Sequence, residues 1–516
     1  MTGADSLIRA ARDAGLDVCF ANPGTTEMLL VGALDASPAV RPVLGLFEGV
    51  CSGAADGYAR MAGRPALTLL HLGPGLMNAA ANLHNARRAR TPIVNIVGDH
   101  ASWHLPSDPL LTSDIAALAG TCSDWVRTTT AAGMMATDLR DAVRASYAHG
   151  GQVATLIVTA DAQWGDAPVE TTPPIERPAN SAPSTANVED AVRALRHGAS
   201  TLLLLGGHAC HGAPLRDAAR VAEATGCRLA LETFPARMDR GAGTPPIERF
   251  PYFPEQMADF AKGLARVVLA GARDPISMFA ERNGASRLLP ESIDMHTLAT
   301  PLEDSAHALA GAASALDAPA VPRSLATRTQ VVRPEGALDA NSLATVLGGL
   351  LPDDAVLVDE GATTSIGLQG PMATAAPHSH LTLTGGAIGI GLPCATGAAL
   401  ACPDQKVVCL QADGSGLYTL QALWTQARES LDVTTVVCAN RSYRILQIEL
   451  ARAGISAPGN ASNRVTHLSE PAIDWTAVAR GMGVDATRAE TAQALWDALD
   501  TALREPGPHL IEALLP

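Results

Sequence analysis

Aromatic residues are scarce in this sequence, since phenylalanine, tryptophan and tyrosine together make up 3% of its 516 residues. Glycine and alanine are abundant instead, which predicts an aliphatic core with helices that pack closely through small side chains. Charged residues contribute 17% and hydrophobic residues 47%, a balance that excludes an intrinsically disordered chain. At about 100–200 residues per domain, this length indicates about three domains.

Basic clusters are also lacking, apart from Arg87, Arg88 and Arg90, and the formal net charge is −15. This charge argues against a nucleic-acid partner. The nine cysteines form no Cys-x-x-Cys pair and no Cys/His metal spacing, which favours reduced thiols in a cytoplasmic protein. The N-terminus carries charges throughout and lacks the apolar core of a signal peptide.

One uncharged stretch, residues 381–402, is long enough to span a membrane. It contains a proline and five glycines, and its apolar side chains are small. We therefore predict a buried strand, turn and helix there, and no membrane partner.

Short apolar runs alternate with helical patterns along the whole chain. Strands are predicted at 66–71, 92–97, 201–205, 355–358, 406–411 and 433–438, with helices at 76–88 and 418–429. This alternation predicts an α/β fold of parallel sheets flanked by helices. Two segments rich in proline and small polar residues, 165–189 and 316–338, are interpreted as surface linkers. They divide the chain into predicted domains 1–165, 190–315 and 339–516.

Two polar residues follow neighbouring predicted strands of the third domain. Asp413 and Asn440 lie 27 positions apart, which is one strand–helix–strand unit, so both should reach the same carboxyl edge of the sheet. Carboxylate, amide and backbone carbonyl oxygens suit Mg²⁺, and diphosphate oxygens and water can complete its octahedron. Gly414 allows the backbone to approach phosphates, and Ser415 can donate a hydrogen bond to them. Considered separately, Asp413 and Gly414 would be a plain turn and Asn440 a helix cap. Their spacing, each just beyond a strand, favours the cation site instead.

The first domain has its own polar residues at predicted strand ends. Glu48 follows an apolar strand, begins a helix of small residues and is a candidate functional residue. The simpler alternative is a structural carboxylate that the helix dipole favours at a helix N-terminus. His71 ends the next strand and is a candidate functional residue; the alternative is a histidine that only packs in the core. His100 and His104 follow a further strand, and we leave open whether they shuttle protons or are exposed loop residues.

Ala-Asp-Gly-Ser at 412–415, followed by Asn-Arg-Ser at 440–442, resembles the thiamine-diphosphate (ThDP) signature of the pyruvate-decarboxylase-like superfamily. Ala412 and Ala439 depart from the usual Gly-Asp-Gly-Ser and Asn-Asn, at positions that are not metal ligands in that family. The resemblance to benzoylformate decarboxylases and acetolactate synthases covers nearly the whole chain. It includes Asn-Pro-Gly-Thr-Thr-Glu at 22–27, His-Leu-Gly-Pro-Gly-Leu-Met-Asn at 71–78 and Gly-Gly-Ala-Ile-Gly at 385–389.

This resemblance implies a pyrimidine-binding domain, a central Rossmann-like domain and a diphosphate-binding domain, with ThDP and Mg²⁺ as cofactors. It implies that Glu48 bonds the aminopyrimidine ring and that His71 and Thr25 are catalytic. It also implies that Ile388 supports the bent cofactor. The full set of implied cofactor contacts is Glu48, Gly386, Ile388, Asp413, Gly414, Ser415, Asn440, Ser442 and Tyr443, with Asp413, Asn440 and Ser442 at the metal. The implied substrate pocket includes Leu110, Leu111 and Leu446.

The function implied by the resemblance is non-oxidative decarboxylation of a 2-keto acid through an enamine intermediate. An acetolactate-synthase-like carboligase, joining two units derived from 2-keto acids, is the first alternative. FAD is not expected, because the short middle domain has no Gly-x-Gly-x-x-Gly after a strand. Residues 443–449 also lack the tryptophan that acetohydroxyacid synthases use to select a second keto acid. A catalytically silent ThDP-binding homologue is the second alternative.

The resemblance further implies self-association as a homodimer or a dimer of dimers. Each site would then combine the first domain of one subunit with the third domain of its partner. Because alanine and glycine flank Glu48 and Ile388, we expect close helix approach at that interface.

Overall fold

The computed structural model describes residues 1–169, 175, 177–280, 282, 284–455 and 459–516. The chain forms two compact units. The first unit comprises Met1–Pro178, Val331–Leu368 and Leu383–Pro516, and the second comprises Ala179–Gln330 and Gln369–Thr382. The fold is α/β with three sheets, built mainly from parallel pairs and flanked by helices, which confirms the predicted class. The three predicted domain ranges stay a prediction.

The first sheet lies within residues 1–178 and is built only from parallel pairs, in the order β2-β1-β3-β4-β6-β5. Its strands are β1 Val18–Asn22, β2 Arg41–Leu44, β3 Ala66–Leu70, β4 Ile93–Asp99, β5 Trp125–Thr129 and β6 Val153–Thr159. The helices around it are α1 Gly3–Asp13, α2 Met28–Asp35, α3 Glu48–Ala62, α4 Leu72–Ala89, α5 Ile115–Cys122, α6 Met135–Tyr147 and α7 Ala160–Trp164.

Alternate residues of these strands supply two separate cores. Leu67 and Leu69 of β3 pack on the side of α1 and α6, whereas Ala66 and Leu70 pack on the side of α3 and α4. The period of two along a strand produces this division, and burial on both faces explains why the strands are apolar throughout.

The second sheet lies in the second unit, in the order β10-β8-β7-β11-β12, and is also parallel. Its strands are β7 Thr201–Leu205, β8 Arg228–Leu231, β10 Glu248–Arg249, β11 Arg266–Ala270 and β12 Asp294–Ala299; strand β9, Arg237–Arg240, stands apart from them. The helices are α8 Thr185–Leu195, α9 Gly212–Thr225, α10 Met257–Phe260 and α11 Ser305–Ala315.

The third sheet follows residue 338, and five of its strands are parallel in the order β17-β18-β16-β15-β13. The elements of this region are α12 Ala340–Leu350, β13 Ala355–Glu360, α13 Gln369–Ala373, β14 His378–Thr382, α14 Gly391–Ala401, β15 Val407–Ala412, α15 Asp413–Gly416, α16 Ala422–Arg428, β16 Val433–Ala439, α17 Arg444–Arg452, α18 Asn460–Thr466, α19 Trp475–Gly481, β17 Asp485–Ala489, α20 Ala492–Arg504 and β18 His509–Leu514. Within the second unit, β14 pairs antiparallel with β9, a pairing that the sequence did not predict.

The two predicted linkers have different outcomes. The segment 316–338 connects α11 to α12 without a helix, as predicted, and all of it is described. The predicted linker 165–189 extends too far, because helix α8 already begins at Thr185. The Ser184 side chain caps this helix by accepting a hydrogen bond from the Asn187 backbone N–H. Residues 170–174 and 176 of this segment lie outside the described residues.

The uncharged stretch 381–402 ends β14, turns, and forms the buried helix α14, as predicted. In the part of the chain that the structure describes, no helix combines the length and apolarity needed to cross a membrane.

Helices α3 and α14 approach each other closely within one chain. A Cβ on Gly57 would collide with the backbone carbonyl of Cys394, and one on Gly397 would collide with that of Ala54. A close helix approach between chains stays a prediction; the small residues beside Glu48 and Ile388 make a contact inside the chain. The reason is that both helices begin at the carboxyl edges of their sheets and bury their small-residue faces against each other.

Candidate active site

Glu48 is the first residue of α3 and is 8% exposed. The Asn78 side-chain amide donates a hydrogen bond of 2.9 Å to its Oε2. Its Oε1 lies beside Gly75, 3.1 Å from the position that a Cβ there would occupy. A carboxylate at a helix N-terminus also faces the positive end of the helix dipole. Glu48 is therefore a buried acceptor that is held by one defined donor.

His71 reaches the same place from the end of β3. Its Cβ lies 3.5 Å from that same Cβ position at Gly75, so His71 and Glu48 approach one glycine from two sides. The His71 Nδ1 lies 2.8 Å from the buried Oε2 of Glu27. The structure thus brings Glu48 and the base of the His71 side chain to the same glycine, and it adds a carboxylate, Glu27, that sequence reasoning missed.

The predicted hydroxyl group at Thr25 is exposed. Its neighbour Thr26 donates a hydrogen bond to Glu27 and lies 3.4 Å from the His71 Nδ1. Thr26 is therefore the hydroxyl of this turn that contacts His71, and the catalytic role of Thr25 stays a prediction.

Asp413 and the loop at Asn440 meet at one edge of the third sheet. Strands β15 and β16 pair with Ala412 opposite Cys438, so both loops leave the sheet at the same level. The Asp413 Oδ2 accepts the Arg441 backbone N–H at 2.6 Å, and the Asn440 Oδ1 accepts that of Ser442 at 3.0 Å. The geometry brings together the residues that the sequence predicted to hold a cation.

The chemistry of this edge fits a hard cation. Asp413 is buried, and burial raises the pKa of its carboxyl to about 6, even though backbone N–H groups bond it. A buried carboxylate carries its charge at a cost, which a bound divalent cation would offset. Among the described residues there is no group of three or more His, Cys, Asp and Glu side chains that could hold a metal ion. Amide, carbonyl and ligand oxygens would therefore complete the coordination.

Gly414 is closely packed at this edge. A Cβ at Gly414 would lie 2.6 Å from the ring of Tyr443 and 2.9 Å from Leu468. Any larger residue would require these two side chains to shift, so glycine allows them to pack closely against the turn. Ser415 accepts a hydrogen bond of 2.7 Å from the Gln411 amide.

The loop carrying Ile388 is held by a second buried carboxylate, Glu360, which the sequence did not single out. It accepts the backbone N–H groups of Gly389 and Gly391, and Gln411 joins it to the Asp413 turn. Burial raises the pKa of Glu360. Its position at the end of β13, on the same sheet edge as Asp413, is the signal that could have identified it.

Two asparagines of α4 connect the Ile388 loop to the start of α3. Asn85 exchanges two hydrogen bonds with the Ala387 backbone, at 2.7 and 3.2 Å. Asn82 donates to the carbonyls of Gly49 and Gly389, at 2.8 and 3.3 Å. The residue after Glu48 and the residue after Ile388 are therefore fixed relative to each other within one chain.

The roles of the other predicted residues stay predictions. Leu110 is 98% exposed, and Leu111 and Leu446 are exposed as well, so a substrate pocket lined by these three stays a prediction. His100 and His104 pack edge to face at 5.9 Å between ring centroids, and His104 is exposed. Gly386 adopts a positive φ of 78° at the start of the Ile388 loop.

Comparison with known proteins gives two family matches. Residues 1–118 match the thiamine pyrophosphate enzyme N-terminal TPP binding domain, and residues 359–513 match the corresponding C-terminal TPP binding domain. These matches contain Glu48 and His71 in the first range and Asp413 and Asn440 in the second.

Relatives cover the whole chain. It is 49% identical over 517 residues to "Putative acetolactate synthase large subunit IlvX" of Mycobacterium tuberculosis, covering 100% of this chain and 99% of that protein. It is 27% identical to benzoylformate decarboxylase of Pseudomonas aeruginosa, covering 97% and 96%. Among solved structures, the ThDP-dependent 4-hydroxybenzoylformate decarboxylase of Rhodococcus jostii RHA1 matches with a TM-score of 0.86 at 24% identity, covering 100% and 99%. That last match supports the fold.

Proposed function

The chain belongs to the thiamine pyrophosphate enzyme family, and from that premise we propose that it is a ThDP- and Mg²⁺-dependent, non-oxidative decarboxylase of a 2-keto acid. The observation that carries this proposal is that the Glu48 Oε1 and the His71 Cβ lie 3.1 and 3.5 Å from the position that a Cβ would occupy at Gly75. A histidine near the proposed cofactor-binding glutamate supports the proposal, because imidazole is a group that can exchange protons. A non-oxidative decarboxylase needs such a group, since a proton takes the place of the departing carboxylate.

ThDP, when bound, supplies a nucleophilic carbon and a sink for the electrons released as CO₂ leaves. The roles of the chain are binding, orientation and proton transfer. Glu48 would bond the aminopyrimidine ring, and Ile388 would support the cofactor from the loop that Glu360 anchors. Asp413, Asn440 and the backbone at Ser442 would hold Mg²⁺. Gly414 and Ser415 would contact the diphosphate, with Tyr443 packed against Gly414.

Carboligation to a 2-hydroxy ketone is the second candidate. The relative that is 49% identical is named as an acetolactate synthase large subunit, and this name favours carboligation. The two reactions share the residues around Glu48 and Asp413, so the difference lies in whether a proton or a second carbonyl compound reaches the intermediate.

We expect purified protein with ThDP and Mg²⁺ to release CO₂ from some member of a panel of aliphatic and aryl 2-keto acids and to form the aldehyde. Product identification by NMR separates the candidates, because a carboligase yields a 2-hydroxy ketone from the same panel. We also expect no stoichiometric flavin absorbance. A flavin band together with a ligated product would replace the decarboxylase proposal, and ThDP binding without CO₂ from any substrate would indicate the silent homologue.

We further propose a homodimer or a dimer of dimers with sites shared between chains. This proposal is supported by apolar side chains that are exposed in the single chain beside both parts of the proposed site, one around Glu48 and the other around Asp413. They include Leu46 and Met77 near Glu48, and Leu417 and Tyr418 just after Ser415. Exposed apolar residues around a reaction site are typical of surfaces that a partner covers.

Mixing inactive Glu48→Gln with inactive Asp413→Ala chains, under conditions of subunit exchange, should restore part of the activity. One chain then supplies an intact first domain and the other an intact third domain to the same site. At random exchange in a dimer we expect about one quarter of sites to be intact, since each half-site is intact in half of the chains. Each variant mixed with itself is the control. Demonstrated exchange without recovered activity, or full activity of a monomer in sedimentation, contradicts shared sites.

A further inference from the structure

Glu27 is a fully buried carboxylate that is bonded on both oxygens. Its Oε2 accepts the Gly24 backbone N–H at 2.7 Å and lies 2.8 Å from the His71 Nδ1. Its Oε1 accepts the Thr26 hydroxyl. Glu27 and His71 are 44 positions apart in sequence, so this contact is made by the fold.

Two glycines make the space for this pair. A Cβ on Gly98, near the end of β4, would overlap the Oε1 of Glu27. A Cβ on Gly24 would overlap the His71 ring at Nδ1 and its neighbouring carbons. The carboxylate and the imidazole are therefore packed against backbone, and neither can rotate freely away from the other.

The contact defines which nitrogen of His71 carries a proton. An ionised carboxylate only accepts hydrogen bonds, so Nδ1 donates to Glu27 and keeps its hydrogen. The neutral ring then has its lone pair on Nε2, and the protonated ring can release a proton only from Nε2 without breaking the contact. The His71 side chain is 24% exposed, so part of it remains accessible.

We propose that Glu27 is a positioning residue, which fixes the orientation and tautomer of His71 so that Nε2 is the atom exchanging protons with the substrate. The proton passes from Nε2 to the reacting group and returns to Nε2 from solvent, while Nδ1 keeps the hydrogen that it donates to Glu27. This role rests on the proposed decarboxylase function. It parallels the carboxylate of a Ser–His–Asp triad, which orients its histidine without taking the proton.

The first test is Glu27→Gln in the ThDP-loaded full-length enzyme. Glutamine keeps the size, but its amide allows the ring to bond in the other tautomer. We expect kcat to fall by about 100-fold or more, within the range of about 10²–10⁴ that positioned acid–base groups contribute, with little change in KM. Glu303→Gln is the matched control, because Glu303 also accepts a backbone N–H, from Thr300, but lies in the second unit. It should leave kcat unchanged.

A double-mutant cycle separates positioning from a structural role. If Glu27 acts through His71, then Glu27→Gln should cost almost nothing further in kcat when His71 is already alanine. Equal losses in the presence and absence of His71 would overturn the proposal, because they would show that Glu27 supports the fold of the site in general.

A spectroscopic readout tests the pair without catalysis. With ¹⁵N-labelled histidine, and His71→Ala to assign the signal, the neutral ring of His71 should show a protonated Nδ1 and an unprotonated Nε2. Glu27→Gln should change that pattern. If no 2-keto acid is decarboxylated but the tautomer is as expected, the proposed function fails while the arrangement stands. If the wild-type enzyme is active and Glu27→Gln changes neither kcat nor tautomer, the positioning role fails alone.

Discussion

Replacing Glu48 with glutamine is expected to slow deuterium exchange at C2 of bound ThDP by about 10²–10⁴-fold, the range contributed by a positioned acid–base group. Glutamine preserves the shape of the side chain and can still accept the Asn78 hydrogen bond. Unlike a carboxylate, however, its amide cannot take up and release a proton. Folding and cofactor affinity should therefore persist while exchange nearly stops. The measurement is quenched-flow exchange in deuterium oxide followed by proton NMR.

Two comparisons make the result specific to Glu48. Circular dichroism and ThDP titration of the variant should match the wild type, and Glu303→Gln should exchange at the wild-type rate. An exchange rate in Glu48→Gln equal to that of the wild type, with cofactor bound, would remove Glu48 from the proposed chemistry.

Loss of the Asp413 carboxylate is expected to weaken Mg²⁺-dependent ThDP binding by at least about 100-fold. Even groups that only support a metal ligand cost about 10–100-fold in affinity when changed, and Asp413 is proposed as an anionic ligand itself. The change Asp413→Ala also removes the acceptor for the Arg441 N–H, so the loop after Asn440 loses this hydrogen bond. Isothermal titration with ThDP, in the presence and absence of Mg²⁺, measures the effect.

Asp432→Ala is the matched control for this experiment. Asp432 pairs with Lys406 at 2.7 Å, and both residues precede strands, so they lie at the opposite edge of the same sheet from Asp413. The same charge is removed, but ThDP affinity should not change. Equal affinity of Asp413→Ala and wild type would show that the metal site has been assigned to the wrong residues.

The sequence predicted the features that depend on neighbouring residues along the chain. Apolar runs identified the strands, with the run 201–205 matching β7 at both ends. Because parallel strands end at one edge, spacing alone brought the loops of Asp413 and Asn440 together. These predictions needed only periodicity and topology.

Contacts between distant segments could not be predicted in the same way. Glu27 and Glu360 each looked like an ordinary charged residue near a strand, and their roles depend on which loops the fold brings to them. The small residues of α3 showed a similar ambiguity, since composition indicates close packing but does not identify the partner. The start of α8 was missed because a proline-rich stretch obscured the cap at Ser184.

The backbone contact between α3 and α14 has a consequence for how substrates enter. Helices separated by side chains can slide as rotamers change, but Gly57 and Gly397 leave no such layer to adjust. We therefore expect a passage for a small molecule to depend on the loop tips at the strand ends, while these two helices stay in place. When product departure limits turnover, substitutions in those tips should alter the rate more than any change in the flexibility of the helices.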